Sequence, residues 1–400
     1  MVFLNNEKNG VLPSQYIKEL IDRNFMFSNE NINEDLIQPA SIDLRLGFKA
    51  WRVPASFLPG KNSTVEEKLN QIAMHEFSLS NGAVLECGCV YIVKLLEGLN
   101  LPKNISGMAN PKSSTGRLDV FTRLIVDRTQ QFENVPKGYK GSLYLEISPR
   151  TFSVVVRTGT RLNQLRFSIG YTSLTDKQMA ELQYKHDLIK NNETSELSDK
   201  LENGLPLSVD LKGVDGVVGY KAKKHSKLID CDKVKNYKVS SFWEKITIDD
   251  LIISEENQNR SLVLSPDAFY ILCSKESVSV PKNLAAEMRP YDTNIGEFRA
   301  HYAGFFDPGF GSPELNANNT KAVLEVRSHD VPFIIEDGQT ICRLIYEPMS
   351  DIPNKLYGEI KGKNNYQYQK NDCYLVMYQG LRKVIHSDHM ALLKCNAKHR

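Results

Sequence analysis

Apolar residues come mostly in short runs rich in β-branched and aromatic side chains. The clearest lie at 90–95, 142–147, 152–156, 269–272 and 331–335. Glycine and proline turns separate them, such as Arg157-Thr158-Gly159-Thr160 and Glu336-Asp337-Gly338-Gln339. Short strands spaced by turn chemistry predict an antiparallel sandwich or barrel, so a mainly β fold is expected. Two segments read instead as helices. Residues 13–21 place Ile17, Leu20 and Ile21 at helical spacing. A second helix is predicted from Thr175-Asp176-Lys177-Gln178, a capping-box pattern, toward Leu188.

The pattern repeats. Pro39-Ala40-Ser41-Ile42-Asp43-Leu44 returns as Pro206-Leu207-Ser208-Val209-Asp210-Leu211, and Gly47-Phe48-Lys49-Ala50 as Gly219-Tyr220-Lys221-Ala222. Farther on the offset is constant: Pro102 maps to Pro281, Glu146 to Glu325, Gly159 to Gly338 and Leu165 to Leu344, with 325 − 146 = 179. Preserved order over such a length indicates two copies of one domain, too few for a solenoid. The expected division is 1–172, a helical and polar connection at 173–204, and 205–400.

Composition narrows the class. The 400 residues are 41% hydrophobic and 24% charged, which are globular values. Lysine and arginine number 50 against 48 acids, so no basic field announces a nucleic-acid partner. No apolar stretch is long enough for a spanning helix, and the first residues lack a signal-peptide layout. Seven scattered cysteines suit a reducing cytoplasm better than a disulfide framework. No complete phosphate loop, nucleophile elbow or C-x-x-C pair occurs. Cys87-Gly88-Cys89 reads as small buried hydrophobes, and the basic run Lys221–Lys227 as a solvated edge.

Three segments of the first repeat carry candidate chemistry. Lys112-Ser113-Ser114-Thr115-Gly116-Arg117 offers hydroxyls, turn amides and a guanidinium, the donor set a polyphosphate needs. Within 142–148, alternation puts Leu143, Leu145 and Ile147 on one face and Tyr144, Glu146 and Ser148 on the other. No basic residue shares the Glu146 face within two positions, so a buried carboxylate suited to proton transfer is expected there. The competing reading of a strand glutamate is a solvent-facing or ion-paired one. Gln164 follows in Gly159-Thr160-Arg161-Leu162-Asn163-Gln164-Leu165 as a polar handle.

Taken together, these segments resemble the dCTP deaminase and dUTPase superfamily. Gln38-Pro39-Ala40-Ser41-Ile42-Asp43-Leu44 resembles its opening motif, and 112–117 its phosphate motif R-S-S-x-x-R. Glu146 falls at the catalytic glutamate of the deaminases, and Gln164 at the polar residue of the following turn. Tyr366 and Gln369, after Tyr357-Gly358, resemble the segment that closes over the nucleotide. The resemblance covers nearly the whole chain and is nearest to the duplicated deaminases. It implies two tandem dUTPase-like, distorted jelly-roll domains. It further implies conversion of dCTP and water to dUTP and ammonia, with Glu146 as general base and Lys112, Ser113, Ser114 and Arg117 on the phosphates. Magnesium would travel with the triphosphate and zinc would have no part. dTTP as an inhibitor, a homo-oligomer (a trimer favoured), a cytoplasmic location, and neither nucleic acid nor membrane as partner are also implied.

Departures from the family pattern leave alternatives. Lys112 replaces an arginine, which keeps the charge and loses the fork. The usual I-D-P-G run is Val135-Pro136-Lys137-Gly138 in the first repeat, without its aspartate, while the second keeps Phe306-Asp307-Pro308-Gly309. Asp127 or Arg128 could stand in for the missing aspartate. In the second repeat Ser113, Ser114 and Arg117 become Asp292, Thr293 and Gly296, and aspartate repels phosphate. Glu325 persists with Arg327 two residues on, which suggests a structural ion pair. The division expected is that the first repeat supplies the clamp and base, and the second a scaffold, the closing segment and possible contributions from Asp307 and Glu325. A dUTP pyrophosphatase, a bifunctional enzyme forming dUMP, and a non-catalytic nucleotide binder are the alternatives.

Overall fold

A computed structural model describes residues 8–190, 201, 203–233, 237–290, 298–300, 304–315, 317, 320–328 and 330–359. The expected mainly β architecture is found, and its duplication is visible strand by strand. In the first repeat one sheet runs His75–Ser78, Leu46–Val53, Val90–Asn100, Lys140–Pro149, Val120–Val126. The second repeat answers with Trp243–Thr247, Val217–Ala222, Phe269–Val278, Lys321–Ser328, Phe298–Ala300, in the same order. The facing sheets are centred on Asn163–Ile169 beside Ile105–Pro111 and on Thr340–Pro348 beside Leu284–Pro290. Several strands start at the sequence offset, as 284 − 105 = 179 and 333 − 154 = 179.

Local chemistry explains the repeated residues. A Cβ on Gly47 would lie 2.3 Å from the Lys94 carbonyl oxygen, and one on Gly219 2.8 Å from that of Ile271. Gly47 sits where its pairing with the Lys94 strand shifts register, and at both glycines neighbouring backbone approaches too closely for a side chain. Gly159 and Gly338 have φ of +89° and +84°, which their turns require.

The predicted helices are present as Ser14–Asp22 and Asp176–His186. The second has its full capping box, with Thr175 accepting from the Gln178 amide. A further helix, Val65–Ile72, carries the same box on Thr64 and Glu67. Alternation along 143–148 holds, except that both faces are buried. Leu143, Leu145 and Ile147 enter the main core, while Tyr144 joins a smaller cluster with Ile92 and Ile125.

The repeats do not hang as separate beads. The first core continues into Tyr220, Phe242, Trp243, Phe269 and Ile271 of the second repeat. Phe152 meets Phe242 and Trp243 edge-on, at centroid distances of 5.7 and 5.6 Å. Val154–Val156 pairs in parallel with Ile229–Asp230 of the second repeat. This shared packing fixes two β units at one junction, where the charged residues of interest gather.

Candidate active site

The strand Ile105–Pro111 delivers Lys112 to the junction, and the chain turns through the short helix Ser113–Gly116. The turn is pinned twice to one carbonyl. The Lys112 amide donates to Leu162 O at 3.0 Å, and Thr115 Oγ1 donates to it at 2.8 Å. Thr115 is therefore an anchor, while Ser113 and Ser114 remain half-buried. Lys112 Nζ donates to Asp43 Oδ2, and Arg161 Nη1 lies 3.9 Å from that same oxygen.

Arg117 reaches the other repeat. Its Nε lies 3.8 Å from Glu325 Oε1, with both side chains buried. Burial pushes the Glu325 carboxyl up to about 8, although the Arg117 guanidinium opposes the rise and the Asp119 carboxylate adds to it. Arg327 does not pair with Glu325 as the two-residue spacing suggested. Its Nη2 donates to Asp119 Oδ2 and, at 2.9 Å, to Thr151 Oγ1.

Glu146 has a different neighbourhood. Arg123 lies directly opposite it on Val120–Val126, and its Nε and Nη2 donate to Glu146 Oε1 at 2.9 and 2.6 Å. The Arg123 guanidinium also covers Phe132, 3.6 Å from the ring centre, and reaches Ser56 Oγ at 2.6 Å. Glu146 Oε2 is buried without a hydrogen-bond partner among the described residues. No basic residue lies within two positions on the strand's own face, as read, but the expected unpaired carboxylate is corrected to the competing ion-paired one. Alternation reports a strand's own face, whereas directly opposed residues of paired strands share a face and meet.

Gln164 lies between Asp43 and Asn110 in the strand register, so the three form a row on one face. Asn110 Nδ2 donates to Glu287 Oε1 of the second repeat at 3.1 Å, which shows where that face points. Two residues on, Arg166 donates to the carbonyls of Ala286 at 3.2 Å and Phe306 at 3.4 Å. It also lies 3.9 Å from Asp307 Oδ1. Burial is the main cause that raises the Asp307 carboxyl to about 6; Arg166 opposes the rise and Asp43 assists it. The two repeats therefore meet at two charged contacts, Arg117 with Glu325 and Arg166 with Asp307, while Lys112 and Gln164 gather around Asp43 in the first repeat. Asp43, Asp119, Arg123 and Arg166 were missed as site-shaping residues.

Asp127, considered as a substitute for the missing aspartate, is engaged otherwise: its Oδ1 accepts from the Val65 amide at 2.8 Å, at the start of a helix. Tyr366 and Gln369 lie outside the described residues. Among the described residues, no group of three or more His, Cys, Asp or Glu could hold a metal ion, and no helix is long and apolar enough to cross a membrane.

Comparison with known proteins agrees with this arrangement of two related halves. Residues 8–171 match the N-terminal domain of 2'-deoxycytidine 5'-triphosphate deaminase (DCD), and residues 175–373 match its C-terminal domain. A dUMP-forming dCTP deaminase of Corynebacterium glutamicum is 31% identical over 140 residues, 34% of this chain and 69% of that protein. One from Methanosphaera stadtmanae is 26% identical over 163 residues, 40% of this chain and 78% of that protein. A crystal structure of 2'-deoxycytidine 5'-triphosphate deaminase from Agrobacterium tumefaciens is 49% identical, with a TM-score of 0.78. The match covers 86% of this chain and all (100%) of that one. The chain belongs to the dCTP deaminase family of enzymes.

Proposed function

We propose that this dCTP deaminase works at a site built across its two repeats, with Glu325 as the proton-transferring carboxylate. The observation that carries this reading is the approach of Arg117, from the phosphate motif, to within 3.8 Å of buried Glu325. A carboxyl pushed up to about 8 stands near neutral pH, where a group that both takes and returns a proton is most effective. Glu146 lies on the equivalent strand, but its hydrogen bonds go to Arg123.

In this reading Ser113, Ser114 and Arg117, with Lys112 beside them, hold the triphosphate, and magnesium arrives with the nucleotide as part of the substrate. Ionised Glu325 takes a proton from water as the oxygen bonds to C4 of the cytosine ring, and passes that proton to ring N3. The proton left on the new C4 hydroxyl then passes, again by way of Glu325, to the exocyclic nitrogen, so that the C–N bond breaks as the C4 carbonyl forms. Water and dCTP thus become dUTP and ammonia, with no oxidant or reductant required and no part for zinc. Gln164 is a candidate for orienting the base, and Tyr366 and Gln369 for closing over it.

Turnover of dCTP by the Glu325→Gln enzyme tests the proposal. Ammonia release should be lost while dCTP binding persists; an active variant would overturn the assignment of Glu325.

A second reading, in which dUMP and pyrophosphate are the products, is favoured by one observation. Asp307 sits at the same junction, beside Asp43 and Arg166, as a carboxyl available to activate a second water. Pyrophosphate appearing with ammonia from purified enzyme would establish it, and ammonia alone would dismiss it. A trimer, a cytoplasmic location and inhibition by dTTP belong to the same proposal. A fully active monomer in mass photometry would remove the trimer.

A further inference from the structure

Beside the Arg117 and Glu325 contact lies a second ion pair with the charges exchanged. Asp119 follows Arg117 by two residues, and Arg327 follows Glu325 by two on the strand Lys321–Ser328. Alternation puts Glu325 and Arg327 on one face. Across the junction, Arg-x-Asp of the first repeat therefore meets Glu-x-Arg of the second, each cation against an anion. The Asp119 carboxylate accepts from Arg327 Nη2 and from Thr151 Oγ1, and Arg327 also donates to Thr151 at 2.9 Å. Backbone bonds brace the same spot: the Asp119 amide donates to Gly116 O at 2.8 Å, and the Arg150 amide to Asp119 O at 2.9 Å. Asp119 and Arg327 are 1% and 5% exposed, so water does not loosen the pair.

We propose that Asp119 and Arg327 form a positioning pair that sets the separation of Arg117 and Glu325, an inference that rests on the cross-repeat site above. A pair this buried is a poor source of stability, because desolvation cancels much of the attraction. What it gives is a fixed distance between two repeats, measured one strand alternation from the reacting carboxylate. Arg327 also neutralises Asp119, which would otherwise place an uncompensated negative charge near Glu325. Neither residue needs to touch the nucleotide for this.

The test uses the full chain and the variants Asp119→Asn, Arg327→Gln, Arg327→Lys and the Asp119→Asn/Arg327→Gln double. Each single loss should lower kcat by roughly ten- to a hundredfold, the scale of a small misplacement of reacting groups, with KM for dCTP essentially unchanged. Arg327→Lys should restore part of the loss. The double variant should be no worse than its poorer parent, since both singles break one interaction. A purely structural pair would lower the melting temperature and leave kcat of the folded enzyme intact. That result, or losses that multiply in the double variant, would overturn the proposal. Should neither single variant fold, Thr151→Val removes one donor to Asp119 and must itself lower kcat for the proposal to stand. Glu325→Gln in parallel separates the two levels. If it is active, the cross-repeat site itself is wrong; if it is inactive while Asp119→Asn turns over normally, only the positioning role fails.

Discussion

Glu146 and Glu325 occupy the same position of a duplicated domain, 179 residues apart, on central strands of matching sheets. Both are buried. Their partners differ. Glu146 is gripped at 2.9 and 2.6 Å by Arg123, from the adjacent strand of its own repeat. Glu325 faces Arg117 of the other repeat at 3.8 Å, at the end of a turn bearing two half-buried serines. Duplication has left one carboxylate inside its own sheet's ion pair and the other at the junction, near the side chains suited to phosphate. Under the proposed reading, a glutamate takes its chemistry from the origin of its cation rather than from its position in the fold.

The sharpest way to break this comparison is to neutralise each glutamate in turn. Glu325→Gln should lower kcat by roughly 10²–10⁴-fold, the usual contribution of a general acid–base group. Glu146→Gln should leave turnover nearly unchanged. Rates of ammonia release decide, and the opposite ranking would return the reaction to the first repeat. Arg117→Ala should follow in size, with kcat/KM about a hundredfold lower, because a donor aimed at the anionic substrate is lost. Isothermal titration with a non-hydrolysable dCTP analogue should show weaker binding. It should also count one site per chain rather than two, since the second repeat has Asp292 in place of the motif's first serine.

A pH profile sharpens the contrast further. Glu325 accepts a proton only when ionised, so kcat/KM, which reports the free enzyme, should rise with pH through about 8. Stability should run the other way. With the folded value raised above the ordinary 4.5, the contribution of Glu325 is fully present below 4.5 and is lost as pH rises through about 8. Glu133 is also raised to about 8 by burial, so the melting profile must be compared with that of Glu325→Gln to isolate one group. Arg117→Ala removes the cation that opposes the shift and should move the acid limb of kcat/KM to higher pH. A limb left in place would mean that Arg117 does not act on Glu325.

Much of this was legible in the sequence, for reasons that also mark where legibility ends. Strand runs, the capping box at Thr175 and the repeat could be read because they depend on residues near each other in the chain or on its self-similarity. Gly47 and Gly219 repeat because each faces a neighbouring carbonyl too close for a Cβ. The choice between the two glutamates could not be read in this way. Arg123 becomes the partner of Glu146 through strand register, 23 residues earlier in the chain. Arg117 approaches Glu325 only because the two repeats pack together. Pairing Glu325 with Arg327 was reasonable from two-residue spacing, yet Asp119 arrives from the other repeat and takes that arginine.

The smallest effect expected on turnover is at Arg123, where the comparison should appear as stability alone. Removing the guanidinium in Arg123→Met leaves Glu146 buried with neither oxygen satisfied by that partner, at a cost of about 3 kcal/mol, typical of a broken buried pair. Replacing both residues, as Arg123→Met/Glu146→Leu, removes the charges together and should recover most of that loss, because well-packed apolar groups replace a buried pair almost neutrally. Chemical denaturation measures both variants, and dCTP turnover of the folded double variant should match the parent. If restoring apolar packing restores stability and leaves the rate intact, Glu146 belongs to the scaffold. If the double variant is stable and slow, Arg123 and Glu146 contribute to a second working site, and the two repeats are less unequal than their partners suggest.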